Sequence, residues 1–113
     1  MEKEEKGEKD NIFVLTEKNF DKSVEKGDWV VDFWAEWCSP CKVMEPHFKA
    51  AAKELKGKVK FGKVDVEAEF ELAGKFNVLS IPTTLYLKDS KHIDRIIGAV
   101  DKNTILKKIK ESF

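Results

Sequence analysis

The run Trp29, Val30, Val31, Asp32, Phe33, Trp34, Ala35 constrains the fold more than any other stretch of the chain. All but one of its residues are apolar, so the alternation that marks a strand with one wet face is absent. A strand of this kind is covered on both faces and belongs in the middle of an α/β sheet. The segments before and after it must then supply the cover.

Their apolar spacing shows how. Ile12, Phe13, Val14 and Leu15 suit a short first strand, after which Thr16 caps a helix over 16–26, with Phe20 and Val24 inward and Gly27 as the stop. From 38 to 56, Met44, Phe48, Ala51, Ala52 and Leu55 recur at helical spacing, with Pro46 expected to kink the helix. A strand is expected over 59–66. A short helix over 67–76 should turn Phe70, Leu72, Ala73 and Phe76 inward. Strands over 83–87 and 93–100 have too short a link for a crossover, so they should be antiparallel. A last helix from Asn103 carries Ile105, Leu106, Ile109 and Phe113 on one face. The expected order is β-α-β-α-β-α-β-β-α: an α/β fold with a mixed sheet of about five strands and about four helices on its two faces, joined by right-handed crossovers.

The 113 residues amount to one domain. Residues 1–11 alternate in charge and read as a disordered or loosely attached tail, with the folded domain over 12–113. Lys+Arg and Asp+Glu balance at 21 each, which argues against nucleic acid as a partner. No apolar core of a signal peptide and no run of about 18 apolar residues occurs, so the expected setting is cytoplasmic, away from membranes. Of the 21 basic residues only Arg95 is an arginine. Such Lys and Glu enrichment is a hyperthermophile trait, and hyperthermophiles can keep intracellular disulfides, so cysteine usage does not fix the redox compartment.

Only two cysteines are present, Cys38 and Cys41, three residues apart where the long helix begins. Side chains at that spacing lie about 5–6 Å apart at Cβ, and a small tightening brings them to disulfide reach. The helix start offers free N–H groups and the positive end of the dipole, which favour a thiolate at Cys38. Cys41, a turn deeper, should be less exposed. Cys38 is thus the expected attacking sulfur and Cys41 the resolving one. Pro40 is tolerated in the first turn and stiffens the gap. Half of a zinc site would need two more ligands, and His47 and His92 lack the spacing. Two inert thiols remain the other alternative, and dithiol exchange is the reading the residues favour.

The segment Trp34, Ala35, Glu36, Trp37, Cys38, Ser39, Pro40, Cys41, Lys42 closely resembles the active-site segment of the thioredoxin family. Ile81, Pro82, Thr83 and Thr84 resemble that family's cis-proline loop. The likeness runs from about residue 12 to 113 and implies the thioredoxin fold. It also implies a protein-disulfide reductase that maintains cell redox balance, with a lowered thiol pKa at the first cysteine and no cofactor of its own. A thioredoxin-like oxidant or isomerase, and a non-catalytic binding subunit on the same fold, are the alternatives. The partners implied are a thioredoxin reductase or equivalent electron donor and disulfide-bearing proteins, served by a monomer.

The resemblance also assigns roles. Asp32 matches the acid that takes the proton of the resolving cysteine; burial should raise its pKa, unless it is a partly wet residue at a strand end. Lys63 matches the lysine beside that acid, with a solvated surface role as the alternative. Trp37, Ser39, Pro40, Ile81, Pro82 and Gly98 match the substrate-binding surface, although a strand bulge would equally explain Gly98. Trp34 is divided between core and site. Two departures stand out. Ser39 replaces the usual glycine and leaves the redox potential open. The turn Lys88, Asp89, Ser90, Lys91 lacks its usual glycine, which bears on the turn alone.

Overall fold

The computed structural model describes residues 10–113. Among them five strands and four helices follow in the order β1 (Ile12–Val14), α1 (Phe20–Ser23), β2 (Asp28–Trp34), α2 (Ser39–Glu54), β3 (Lys60–Asp65), α3 (Phe70–Lys75), β4 (Thr83–Lys88), β5 (Lys91–Ile97) and α4 (Lys102–Ser112). The strands make one sheet in the order β1-β3-β2-β4-β5. β3 lies parallel to both β1 and β2, while β4 lies antiparallel to β2 and β5. The mixed α/β sheet is therefore present, and the apolar run supplies its middle strand. All five interior residues of β2 are buried.

Strand alternation divides the core. Trp29, Val31 and Phe33 turn to one face and join Phe20, Val24, Leu72, Leu85 and Leu87, so α1 and α3 cover that side. Val30 turns to the other and joins Met44, Phe48, Ala51, Ala52, Tyr86, Ile105 and Ile109, beneath α2 and α4. Each fully buried side chain of this size contributes about 1.5–3 kcal/mol from removal of apolar surface. Asp32 has the parity of Val30 and so points into the α2 side. Gly62, between β1 and β2, lets that three-strand layer pack closely: a Cβ there would stand 2.5 Å from Leu15 Cδ1 and 3.4 Å from Trp29 Cζ3.

Several expectations need correction. The helix expected over 16–26 contracts to the four residues of α1. Thr16 does not cap it, since the N-cap is Asn19; instead Thr16 and Asn19 close a reciprocal box, Thr16 N–H to Asn19 Oδ1 at 2.8 Å and Asn19 N–H to Thr16 Oγ1 at 3.3 Å, which holds the first residues as a turn. The helix over 67–76 likewise shortens to α3, because Asp65 Oδ1 accepts the N–H groups of Glu67 and Ala68 and keeps the chain in a turn. Phe70 is not inward but 68% exposed, since it stands about 110° round the helix from the mean direction of Leu72, Ala73 and Phe76. The last strand begins at Lys91, not at 93, because the β4–β5 turn needs only Asp89 and Ser90. The helix expected over 38–56 is present as α2, with Pro46 inside it.

Residues 1–9 of the expected tail lie outside the described residues. Asn11, assigned to that tail, is buried, and its side-chain amide donates to Ala52 O at 2.8 Å and Val59 O at 2.9 Å. These bonds tie the start of β1 to the end of α2.

Candidate functional site

Cys38 and Cys41 are joined by a disulfide with their Cα atoms 5.3 Å apart. Cys38 is the N-cap of α2, and its Sγ accepts the Cys41 N–H at 3.2 Å. One orphan donor of the helix start is therefore aimed at this sulfur. Cys41 is the less exposed of the two, but only just: they are 4% and 3% exposed, because Ala35, Trp34, Val66 and Ile81 close over both. What separates them is bonding and neighbourhood. Ser39 and Pro40 occupy the first two positions of α2 and are exposed.

The Ile81–Pro82 peptide is cis, and Ile81 O lies 3.8 Å from Cys38 Sγ. Pro82 O accepts the Gly98 N–H at 2.8 Å, which joins the proline loop to the end of β5. Gly98 has φ of +103°, a conformation that a side chain would strain, whereas a Cβ there would meet no atom within 4 Å. Its glycine is thus required by the backbone. Trp37 is 65% exposed beside the disulfide, and its Nε1–H donates to Glu67 Oε2 at 2.6 Å.

A second group lies behind the disulfide. Asp32, Trp34, Glu36, Cys41, Lys42, Glu45 and Lys63 line a cavity of about 240 Å³. Asp32 is 2% exposed, and its Oδ1 has no hydrogen-bond partner among the described residues. Burial pushes its carboxyl up from the ordinary 3.8 to about 7, against the Lys63 ammonium, which lowers it, and with a smaller upward push from Glu45. Lys63 is the direct β3 partner of Asp32 in the parallel ladder. Its ammonium, however, lies 3.5 Å from Glu45 Oε2 and 4.3 Å from the centroid of the Trp34 ring. Trp34 is accordingly both a packing residue over the disulfide and part of the cavity wall.

Glu45 and Glu67 are the residues the sequence reading missed. Glu45 follows Cys41 by four positions on α2, a spacing that places both on one helix face. Glu67 had no local signal, since its contact with Trp37 spans 30 residues. His47 serves structure: its Nδ1 accepts the Lys102 N–H at 3.1 Å, at the start of α4. Among the described residues no group of three His, Cys, Asp or Glu side chains is placed to hold a metal ion.

A cysteine pair joined at a helix start, backed by a buried carboxyl and faced by a cis-proline loop, defines a dithiol–disulfide oxidoreductase. The family model described as Thioredoxin matches residues 11–111. The thioredoxin of Chlorobaculum thiosulfatiphilum is 40% identical over 101 residues, 88% of this chain and 94% of that protein. The thioredoxins of Staphylococcus haemolyticus (strain JCSC1435) and Staphylococcus saprophyticus are 38% and 37% identical, across 83% and 88% of this chain and 90% and 96% of theirs. The chain belongs to the thioredoxin family and has a thioredoxin-type protein-disulfide reductase function.

Proposed function

We propose that Cys38 is the attacking sulfur, Cys41 the resolving one and Asp32 the proton acceptor in reduction of protein disulfides. In the dithiol state the Cys38 thiolate attacks one sulfur of a substrate disulfide. A Cys38–substrate disulfide forms, and the other substrate sulfur leaves as a thiolate. Cys41 S–H then gives its proton to the Asp32 carboxylate, and the Cys41 thiolate attacks Cys38 Sγ. The Cys38–Cys41 disulfide forms, the second substrate thiolate leaves, and two electrons have passed from the pair to the substrate. The second step is intramolecular, so its effective concentration is high and the mixed disulfide short-lived.

The observation that carries this assignment is the asymmetry around the disulfide. Cys38 Sγ receives the helix-start N–H of Cys41, a donor that stabilises a thiolate, whereas Cys41 lines the cavity that holds the buried Asp32. Trp37, the backbone of Ile81 and Pro82, and the Gly98 turn are assigned to substrate docking, with Ser39 and Pro40 at its edge. Lys63 is assigned to the field around Asp32. The family implies a thioredoxin reductase as electron donor and disulfide-bearing proteins as substrates. A cytoplasmic monomer is the accompanying reading, supported by the 37% charged composition. No helix among the described residues is long and apolar enough to cross a membrane.

A Cys41→Ser variant should accumulate mixed disulfides with protein substrates, seen as reductant-sensitive bands on a non-reducing gel. Cys38→Ser should trap none, and wild type should reduce the disulfides of insulin. Trapping through Cys41 in the Cys38→Ser variant, equal to that through Cys38, would sink the assignment.

A further inference from the structure

Asp32 and Lys63 are paired across β2 and β3, so their side chains leave the sheet on the same face. A lysine so placed has the reach to bond the carboxylate directly. It does not do so here: its Nζ is 3.5 Å from Glu45 Oε2 and over the Trp34 ring, while Asp32 Oδ1 stays buried and unpartnered among the described residues. Three elements meet in this arrangement, with Asp32 from β2, Lys63 from β3 and Glu45 from α2, one turn beyond Cys41.

We infer that Glu45 is a positioning residue for the resolving step: its carboxylate holds the Lys63 ammonium against Trp34 and so keeps Asp32 free to accept the proton of Cys41. The inference rests on the assignment of Asp32 as acceptor made above.

The physical reason lies in what a direct pair would do. An ammonium bonded to Asp32 would favour its ionised form and lower its proton affinity by about 1–3 pH units. A carboxylate so satisfied is a poor base for a thiol, because efficient proton transfer needs an acceptor whose pKa lies near the working pH. Glu45 opposes this twice, by drawing the ammonium outward and by adding a second negative charge to the cavity. The groups facing Asp32 are Lys63 from β3, Cys41, Lys42 and Glu45 from α2, and Glu36 from the connection before α2. From β4 its ladder partner is the uncharged Thr84. Lys42 Nζ is already paired with Glu36 Oε2 at 2.9 Å, so the Lys63–Glu45 pair is the arrangement that sets the field.

The test compares wild type with Glu45→Gln, Lys63→Gln, the double variant and Asp32→Asn. The Asp32 midpoint is followed by carboxyl-carbon NMR in the oxidised protein. The pH profile of the resolving step is followed by single-turnover decay of the mixed disulfide. Glu45→Gln should move the Asp32 midpoint, and the acid limb of the resolving step with it, to lower pH by about half a unit or more. Lys63→Gln should move both upward, and in its background the Glu45→Gln shift should shrink to less than about half. An Asp32 midpoint unmoved by Glu45→Gln overturns the inference, as does a shift of equal size with and without Lys63. Asp32→Asn separates the two levels. If it leaves the acid limb in place, the acceptor assignment itself fails; if it removes the limb while Glu45→Gln does not move it, only the role of Glu45 fails.

Discussion

Trp37 places most of an indole in water at the lip of the disulfide, an arrangement that folding alone would not favour. Its bond to Glu67 fixes the ring, so the apolar face is presented in one orientation and little side-chain entropy is left to lose on docking. Trp37→Ala should therefore lower kcat/KM for a protein disulfide by about five- to tenfold, the size expected when one moderately important interface side chain is truncated. Reduction of a small aromatic disulfide, which covers little of that surface, should fall much less. Equal losses on both substrates would mean that the ring serves the chemistry or the fold and not docking. At this scale the sequence was most legible where chemistry is local. The spacing of Cys38 and Cys41 and the parity of Asp32 needed only neighbours, whereas Glu67 and the outward path of Lys63 depend on contacts between elements. The near-complete burial of Cys38 was hidden for the same reason: it is set by residues from the β2–α2 connection and the proline loop, which close over both sulfurs.

The β4–β5 hairpin shows what an element can carry without the residue its geometry favours. Asp89 and Ser90 both have positive φ, 47° and 73°, as a two-residue turn between twisted antiparallel strands requires. Asp89 is retained by other work: its N–H donates to Gly27 O at 2.9 Å, and its Oδ1 accepts the Gly27 N–H at 2.8 Å, which ties the hairpin to the start of β2. Ser90 makes no such cross-link. Ser90→Gly should therefore raise stability by about 0.5–1 kcal/mol, the strain relieved less the extra freedom of an unfolded glycine. Urea denaturation would show it as a higher midpoint at unchanged slope, and a lower midpoint would contradict it. The central strand, the long helix and the hairpin were all readable because their signals span many residues or a short link. The short helices were less so, since side chains that bond backbone, at Asn19 and Asp65, convert their first turns. Asn11 was hidden in a charged run because its bonds reach 41 and 48 residues along the chain.

Across the whole molecule, the buried Asp32 carboxyl works against the fold that holds it. Burial raises the Asp32 pKa from 3.8 to about 7, so the folded state keeps a proton over a range in which the unfolded chain has lost it. With one more proton bound in the folded state, stability falls as pH rises, by about 1.4 kcal/mol per unit. The contribution is complete below about pH 4, declines between pH 4 and 7, and is gone above. The whole loss is on the order of 4 kcal/mol, a large part of the roughly 5–15 kcal/mol typical of such domains. The two-sided core of β2 is what lets the domain tolerate it. Asp94 and Asp101 have lowered pKa values, Asp94 mainly through its bond to Lys108 and Asp101 mainly through the Thr104 N–H, and so act in the opposite sense toward acid. A difference between wild type and Asp32→Asn cancels both. That difference should be near zero at pH 4 and grow to about 2–4 kcal/mol in favour of the variant at pH 8, measured by denaturant unfolding of the oxidised proteins. A difference that does not change with pH would mean that Asp32 is ionised throughout, and that it does not act as the proton acceptor.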